Sequence, residues 1–170
     1  MEFQNNQIQL ADLPKAEEVD LVPIDERYYT VILYNQVLLW FVLFIVLLVV
    51  MILNSEFHSF RAAGLSLLLF AALGFSHFRL RYLSFKNMAF AIREHDLLFQ
   101  SGWLIKSLHV CPFRRIQHCS IHAGVFERNL GICKLKVYSA GEDGSDILIP
   151  GLLPEQAESL RELILEKNQA

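Results

Sequence analysis

VILYNQVLLWFVLFIVLLVVMIL, residues 31–53, runs for 23 positions without a charged side chain. A helix needs about 20 apolar residues to cross a hydrocarbon core of about 30 Å. After eight residues (54–61) comes a second uncharged run, Ala62–Phe78, 17 residues long and bracketed by Arg61 and Arg79. In lipid the backbone must satisfy its own hydrogen bonds, so two isolated runs of this kind predict helices. Together they predict a transmembrane helical hairpin, and the rest of the chain reads as a domain tethered to a bilayer.

The 170 residues divide unevenly in charge. Residues 1–30 hold seven acids against two bases, residues 79–136 ten bases against three acids, and residues 137–170 seven acids against two bases. No cleavable signal peptide is expected, because the first thirty residues lack a basic stretch followed by an apolar core. Orientation follows the basic residues near the spans. The loop 54–61 offers only Arg61, whereas Lys15 and Arg27 precede the first run and Arg79, Arg81 and Lys86 follow the second. Both termini are therefore expected on the cytoplasmic side of an inner membrane. There Cys111, Cys119 and Cys133 would stay reduced.

The expected organisation is an acidic tail and juxtamembrane segment (1–30), spans at 31–53 and 62–78 joined by an external loop (54–61), a basic stem (79–87), and a cytoplasmic domain (88–167). Residues 1–20 are polar and aperiodic, the pattern of a flexible tail. Tyr28 and Tyr29 suit the headgroup layer. Asn35 and Gln36 read as interfacial; the alternative is that they bond to the second helix. Ala62, Ala63, Gly64, Ala71, Ala72 and Gly74 would let that helix approach the first closely. In the stem, Arg79 and Arg81 can snorkel towards phosphates.

Beyond the stem the pattern changes to short runs of β type broken by turn residues. The candidates are Met88–Arg93, Leu97–Gln100, Ser107–Pro112, Ile116–His122, Lys134–Ser139 and Ile147–Pro150. Ser101-Gly102 and Ala123-Gly124 supply turns, and Gly141-Glu142-Asp143-Gly144 reads as a hairpin loop. Cys133, Leu135 and Val137 alternate with polar neighbours and should face a core. Leu153–Lys167 reads as an amphipathic helix, with Pro154 in its first turn and Leu153, Ala157, Leu160 and Ile164 on one stripe. A membrane helical hairpin followed by a mainly-β, PH-like partly open barrel of six or seven antiparallel strands, capped by one C-terminal helix, is the predicted fold.

Three stretches carry a family resemblance: Cys111-Pro112-Phe113-Arg114-Arg115-Ile116-Gln117-His118, then Gly124-Val125-Phe126-Glu127-Arg128-Asn129-Leu130-Gly131, then a strand and Pro150-Gly151-Leu152. In order and spacing they resemble the bacterial PH-like domain, of the second bacterial subtype, found in small two-helix membrane proteins. The resemblance spans roughly Phe78–Lys167 by motif and leaves the acidic tail unexplained. It implies a non-enzymatic interaction module, often found beside a larger membrane protein with several copies of the same domain. It implies no particular ligand.

Arg114, Arg115, Gln117 and His118 form the candidate interaction surface, and Arg79, Arg81, Lys86 and Lys106 are the candidate lipid contacts. Arg114 and Arg115 with Lys106, Arg128, Lys134 and Lys136 make either a headgroup patch, at about 1 kcal/mol per base near an anionic surface, or a solvated strand face. A tight phosphoinositide pocket is not expected, since the loop Ser101–Lys106 brings only Lys106. His109, Cys111, His118, Cys119, His122 and Cys133 raise the question of zinc. Strand neighbours such as His118 and Cys119 point to opposite faces, and no CxxC pair exists. No metal, cofactor or nucleic-acid partner is expected. No GxSxG, phosphate-loop or HExxH pattern is present; Glu94, Asp96, Asp143 and Asp146 read as turn residues, and no catalytic residue is assigned. The bilayer and a protein partner, such as a membrane protein with several PH-like domains, are the expected associates; recognition of anionic lipid by the basic face is the alternative.

Overall fold

The structure, a computed structural model, describes residues 19–54, 57, 59–140 and 146–169. The expected tail over residues 1–18 and the loop Gly141–Gly144 lie outside the described residues, as do positions 55, 56 and 58 of the loop between the apolar runs.

Both apolar runs form helices longer than the runs themselves. Helix α1 spans Arg27–Leu53 and α2 spans Phe60–Lys86, each 27 residues. At 1.5 Å per residue each is about 40 Å long. Ser59 caps α2, its hydroxyl accepting from Ala62 N at 3.2 Å. The stretch expected as a stem is thus the last two turns of α2, and Asn87 ends it. Both helices are long and apolar enough to cross a membrane, and only 6% of the apolar window of α1 and 0% of that of α2 is buried. A core helix of a water-soluble protein would show the reverse.

The helices touch along a short seam. Trp40 of α1 packs on Phe70 at 4.9 Å between centroids and covers Gly74, where an added Cβ would sit 3.4 Å from the indole. Of the small residues expected to permit close approach, Gly74 alone is buried; Gly64, Ala71 and Ala72 are exposed. Tyr29 meets Tyr82 and Phe85 at 5.2 and 5.4 Å. That tyrosine therefore packs within the protein rather than standing free among headgroups.

Seven strands follow the antiparallel pattern among the described residues: β1 Val22–Pro23, β2 Ala89–Ile92, β3 Asp96–Ser101, β4 Ser107–Pro112, β5 Ile116–His122, β6 Cys133–Ser139 and β7 Ile147–Leu152. They form two sheets, ordered β1-β2-β3-β4 and β5-β6-β7. The expected single, partly open barrel is corrected here: the sheets are separate and do not close. Pro112 cannot donate to a ladder, and the next three residues, Phe113–Arg115, form a single 3-10 turn that carries the chain from one sheet to the other. Strand β1 lies in the segment expected to be juxtamembrane coil. Val22 and Pro23 pair with Phe90 and Ala89, and Ile24, 5% exposed, enters the core.

The core sits between the two sheets. Leu97, Phe99, Cys111, Phe113, Leu135, Val137 and Ile149 fill it, Leu97 and the last three wholly buried. Burying one such leucine or isoleucine is worth about 2 kcal/mol. Helix α4, Pro154–Gln169, seats Ala157, Leu160 and Ile164 against β5 and β6. A short helix, α3 at Val125–Asn129, joins β5 to β6. It lies against the base of α1, with Phe126 5.3 Å from Tyr34. Gly151, at φ +65°, lets β7 pass so close to α1 that a Cβ there would lie 2.6 Å from Ile24 and 2.9 Å from Tyr28.

Candidate functional site

The corner between the sheets carries the residues singled out in the sequence. Phe113 anchors it: the ring is buried and its N–H donates to His95 O at 3.0 Å. Arg114, Arg115, Gln117 and His118 are all exposed. Arg114 lines a groove of about 500 Å³ with Glu94, His95, Pro112 and Lys167. Arg115 turns the other way and donates to Ala140 O at 2.9 Å. Gln117 sits in a bulge between Ile116 and His118, which breaks the alternation expected along β5. His118 stacks on Tyr138 at 4.1 Å. The four residues thus share one corner but do not converge on one point.

That corner also borders two outer strands. β4 is the outermost strand of the first sheet and β5 of the second, and Leu108 and Val110 of β4 are exposed. An outer strand presents unpaired backbone donors and acceptors to any extended segment that approaches.

The basic residues read as one possible patch are dispersed. Lys134 Nζ lies 2.5 Å from Glu127 Oε1, and Lys136 Nζ 3.6 Å from Asp146 Oδ2 and 4.4 Å from the Tyr138 ring centroid. Burial pushes the Glu127 carboxyl up, but the hydrogen bonds from Lys134 and from the backbone outweigh it and hold the group below its ordinary range. Arg79, Arg81 and Lys86 are exposed on the last turns of α2, with Lys86 Nζ 4.9 Å from the Tyr82 ring centroid. Lys106 ends the loop Ser101–Lys106, whose apolar residues the sequence reading did not single out. Gly102, at φ +94°, opens it, and Trp103, Leu104 and Ile105 follow, the last two 83% and 77% exposed. Ala89, three residues past α2, pairs with Gln100, so this loop lies at the end of the sheet nearest the hairpin.

A second feature was also not foreseen. Where α1, α2 and β6 meet, a cavity of about 240 Å³ is lined by Tyr28, Asn35, Gln36, His77, Arg81 and Lys134 among others. Asn35 donates to Val31 O of its own helix at 3.0 Å. Gln36 is only 4% exposed, and neither its Oε1 nor its Nε2 has a hydrogen-bond partner. It is therefore enclosed by the protein and makes no hydrogen bond to α2. The signal was a pair of amides, Asn35 and Gln36, in an apolar run, and the cavity is lined in part by Lys134, about a hundred residues away.

The cysteines and histidines considered for zinc do not assemble: among the described residues no group of three or more His, Cys, Asp or Glu side chains could hold a metal ion. Burial pushes the thiols of Cys111, Cys133 and Cys119 up, that of Cys119 to about 11. A protonated, enclosed thiol is a core side chain rather than a nucleophile.

Two long apolar helices, two antiparallel sheets and a C-terminal helix packed on them define a helical hairpin carrying a PH-like domain. The family model described as Bacterial PH domain matches residues 30–168, the hairpin included. The chain belongs to the bacterial PH-domain family. No curated protein and no solved structure matches it.

Proposed function

We propose that this chain is a non-enzymatic interaction module held in the cytoplasmic membrane by its hairpin, with both termini on the cytoplasmic side. The PH-like sheets then act as a docking surface for another membrane protein, such as one carrying several PH-like domains. The observation that carries the reading is the pair of outer strands, β4 and β5, flanking the exposed Arg114, Arg115, Gln117 and His118. Strand addition there would satisfy backbone groups, while Leu108 and Val110 would give the new strand an apolar face to cover.

The test is site-specific photo-cross-linking of the full chain in its native membrane, with probes at Val110 and Gln117. Adducts with a single protein support the reading. Their absence at both positions ends it.

A second reading, recognition of anionic lipid, is favoured by a different observation: Trp103, Leu104 and Ile105 are exposed beside Lys106 at the hairpin end of the sheet. An aromatic and two aliphatic side chains next to a base suit the interfacial layer. Probes at Leu104 that capture lipid, with none captured at Val110, would move the weight to this reading.

A further inference from the structure

We infer that the cavity between α1, α2 and β6 seats the phosphate end of an anionic phospholipid headgroup. The inference rests on the hairpin being embedded in a bilayer, and it concerns a place apart from the sheet corner. It starts from Gln36, a side chain that is 96% enclosed with both polar atoms unpartnered. Leaving a buried amide unpaired is costly, and native folds rarely do so without a group to meet it.

The other lining residues point to what that group is. Trp40 Nε1, which can only donate, lies 2.9 Å from His77 Nδ1. Nδ1 is then the acceptor, which leaves the ring proton on Nε2, a second donor on a residue that lines the same cavity as Gln36. Arg81, one turn beyond His77, brings a guanidinium for which no ion pair is found among the described residues. Lys134 adds a further cation, offset by Glu127. None of the lining residues is acidic. The site is thus rich in donors, with one uncompensated positive charge, the chemistry that selects a phosphate.

Size and depth narrow the source. At about 240 Å³ the cavity is smaller than the range of about 300–1,000 Å³ usual for organic ligands. It lies where the uncharged run of α2 gives way to Arg79 and Arg81, the level at which a leaflet places its phosphates.

The full chain is reconstituted into phosphatidylcholine nanodiscs with or without phosphatidylglycerol, and lipid retained on release is read by native mass spectrometry. Wild type is expected to keep one phosphatidylglycerol. Gln36→Leu and Arg81→Gln are expected to weaken retention about tenfold or more, the worth of a hydrogen bond to a charged group. Gln36→Glu, close in shape but repelling a phosphate, serves should the leucine variant misfold. Arg79→Gln, two positions from His77, gauges diffuse attraction and should cost about fivefold at most. Equal retention by wild type and the Gln36 variants overturns the inference, as does an equal loss from Arg79→Gln and Arg81→Gln. Equal thermal stabilisation by inorganic phosphate in pure phosphatidylcholine discs overturns the lipid assignment in favour of a free anion. A chain that enters discs yet keeps no lipid sinks this inference alone; a chain that never enters them sinks the anchored reading as well.

Discussion

Helix α1 and strand β6 are built from much the same aliphatic residues and spend them in opposite ways. In β6, Cys133, Leu135 and Val137 are buried, and Lys134, Lys136 and Tyr138 alternate with them. In α1, apolar side chains point in every direction, and Val42, Val46 and Leu48 stand exposed although nothing polar shares their turns. An element with a core on one face and water on the other must alternate; an element with the same surroundings on every side need not. Apolar composition alone does not mark a core residue. The period does.

The comparison breaks most directly at Leu135, which is wholly buried. Leu135→Ala should cost about 4 kcal/mol through lost contacts and the void left behind. Val42→Ala, half exposed on the hairpin, should stay within about 0.5 kcal/mol. Thermal unfolding of the full chain in detergent, followed by near-ultraviolet circular dichroism, reads both; comparable losses would erase the distinction.

Gly151 tests the seam between the two regions. Its left-handed backbone and the contacts awaiting a Cβ at Ile24 and Tyr28 should make Gly151→Ala cost about 3 kcal/mol. Hydrogen exchange should quicken at Ile24, whose N–H donates to Met88 O, before it quickens within β6. Uniform loss across both sheets would mean that the seam and the core unfold as one.

The smallest effect sharpens the contrast electrostatically. Because the folded protein holds the Glu127 carboxyl below its usual value of 4.5, the group stabilises the fold above that pH. The contribution disappears as pH falls through the lowered folded value. Glu127→Gln should cost about 2 kcal/mol near neutrality, and the gap from wild type should narrow below about pH 4. A gap that stays constant with pH would show that the carboxylate's charge plays no part. Helix α1 holds no Asp, Glu, Lys or Arg from Tyr28 to Leu53, so that stretch has no carboxylate to match this dependence.

Much of this architecture was legible because it rests on local pattern. Ser107–Pro112 and Ile116–His122 were placed to the residue, since a turn or a proline marks their ends. What escaped depends on partners far along the chain. Val22–Pro23 is a strand only because Ala89 and Phe90 lie beside it, and two residues hold no period. The separation into two sheets turns on a 3-10 turn at Phe113–Arg115, where the sequence signals a bend but not where the bend leads. At the sites, Arg114 to His118 come together because they are neighbours in sequence. Lys134 paired with Glu127, and Gln36 enclosed beside His77, are meetings that no spacing announces.

Only three residues separate β1 from α1 and two separate α2 from β2, and the two strands are paired. The hairpin's two legs are therefore buckled together at their base, through connections of two and three residues that leave little room for a swivel. In the anchored arrangement proposed above, the bilayer normal and the plane of the first sheet would turn together. Any partner that grips the sheet would also be gripping the tilt of the helices, so that pulling on the domain becomes a torque on the membrane.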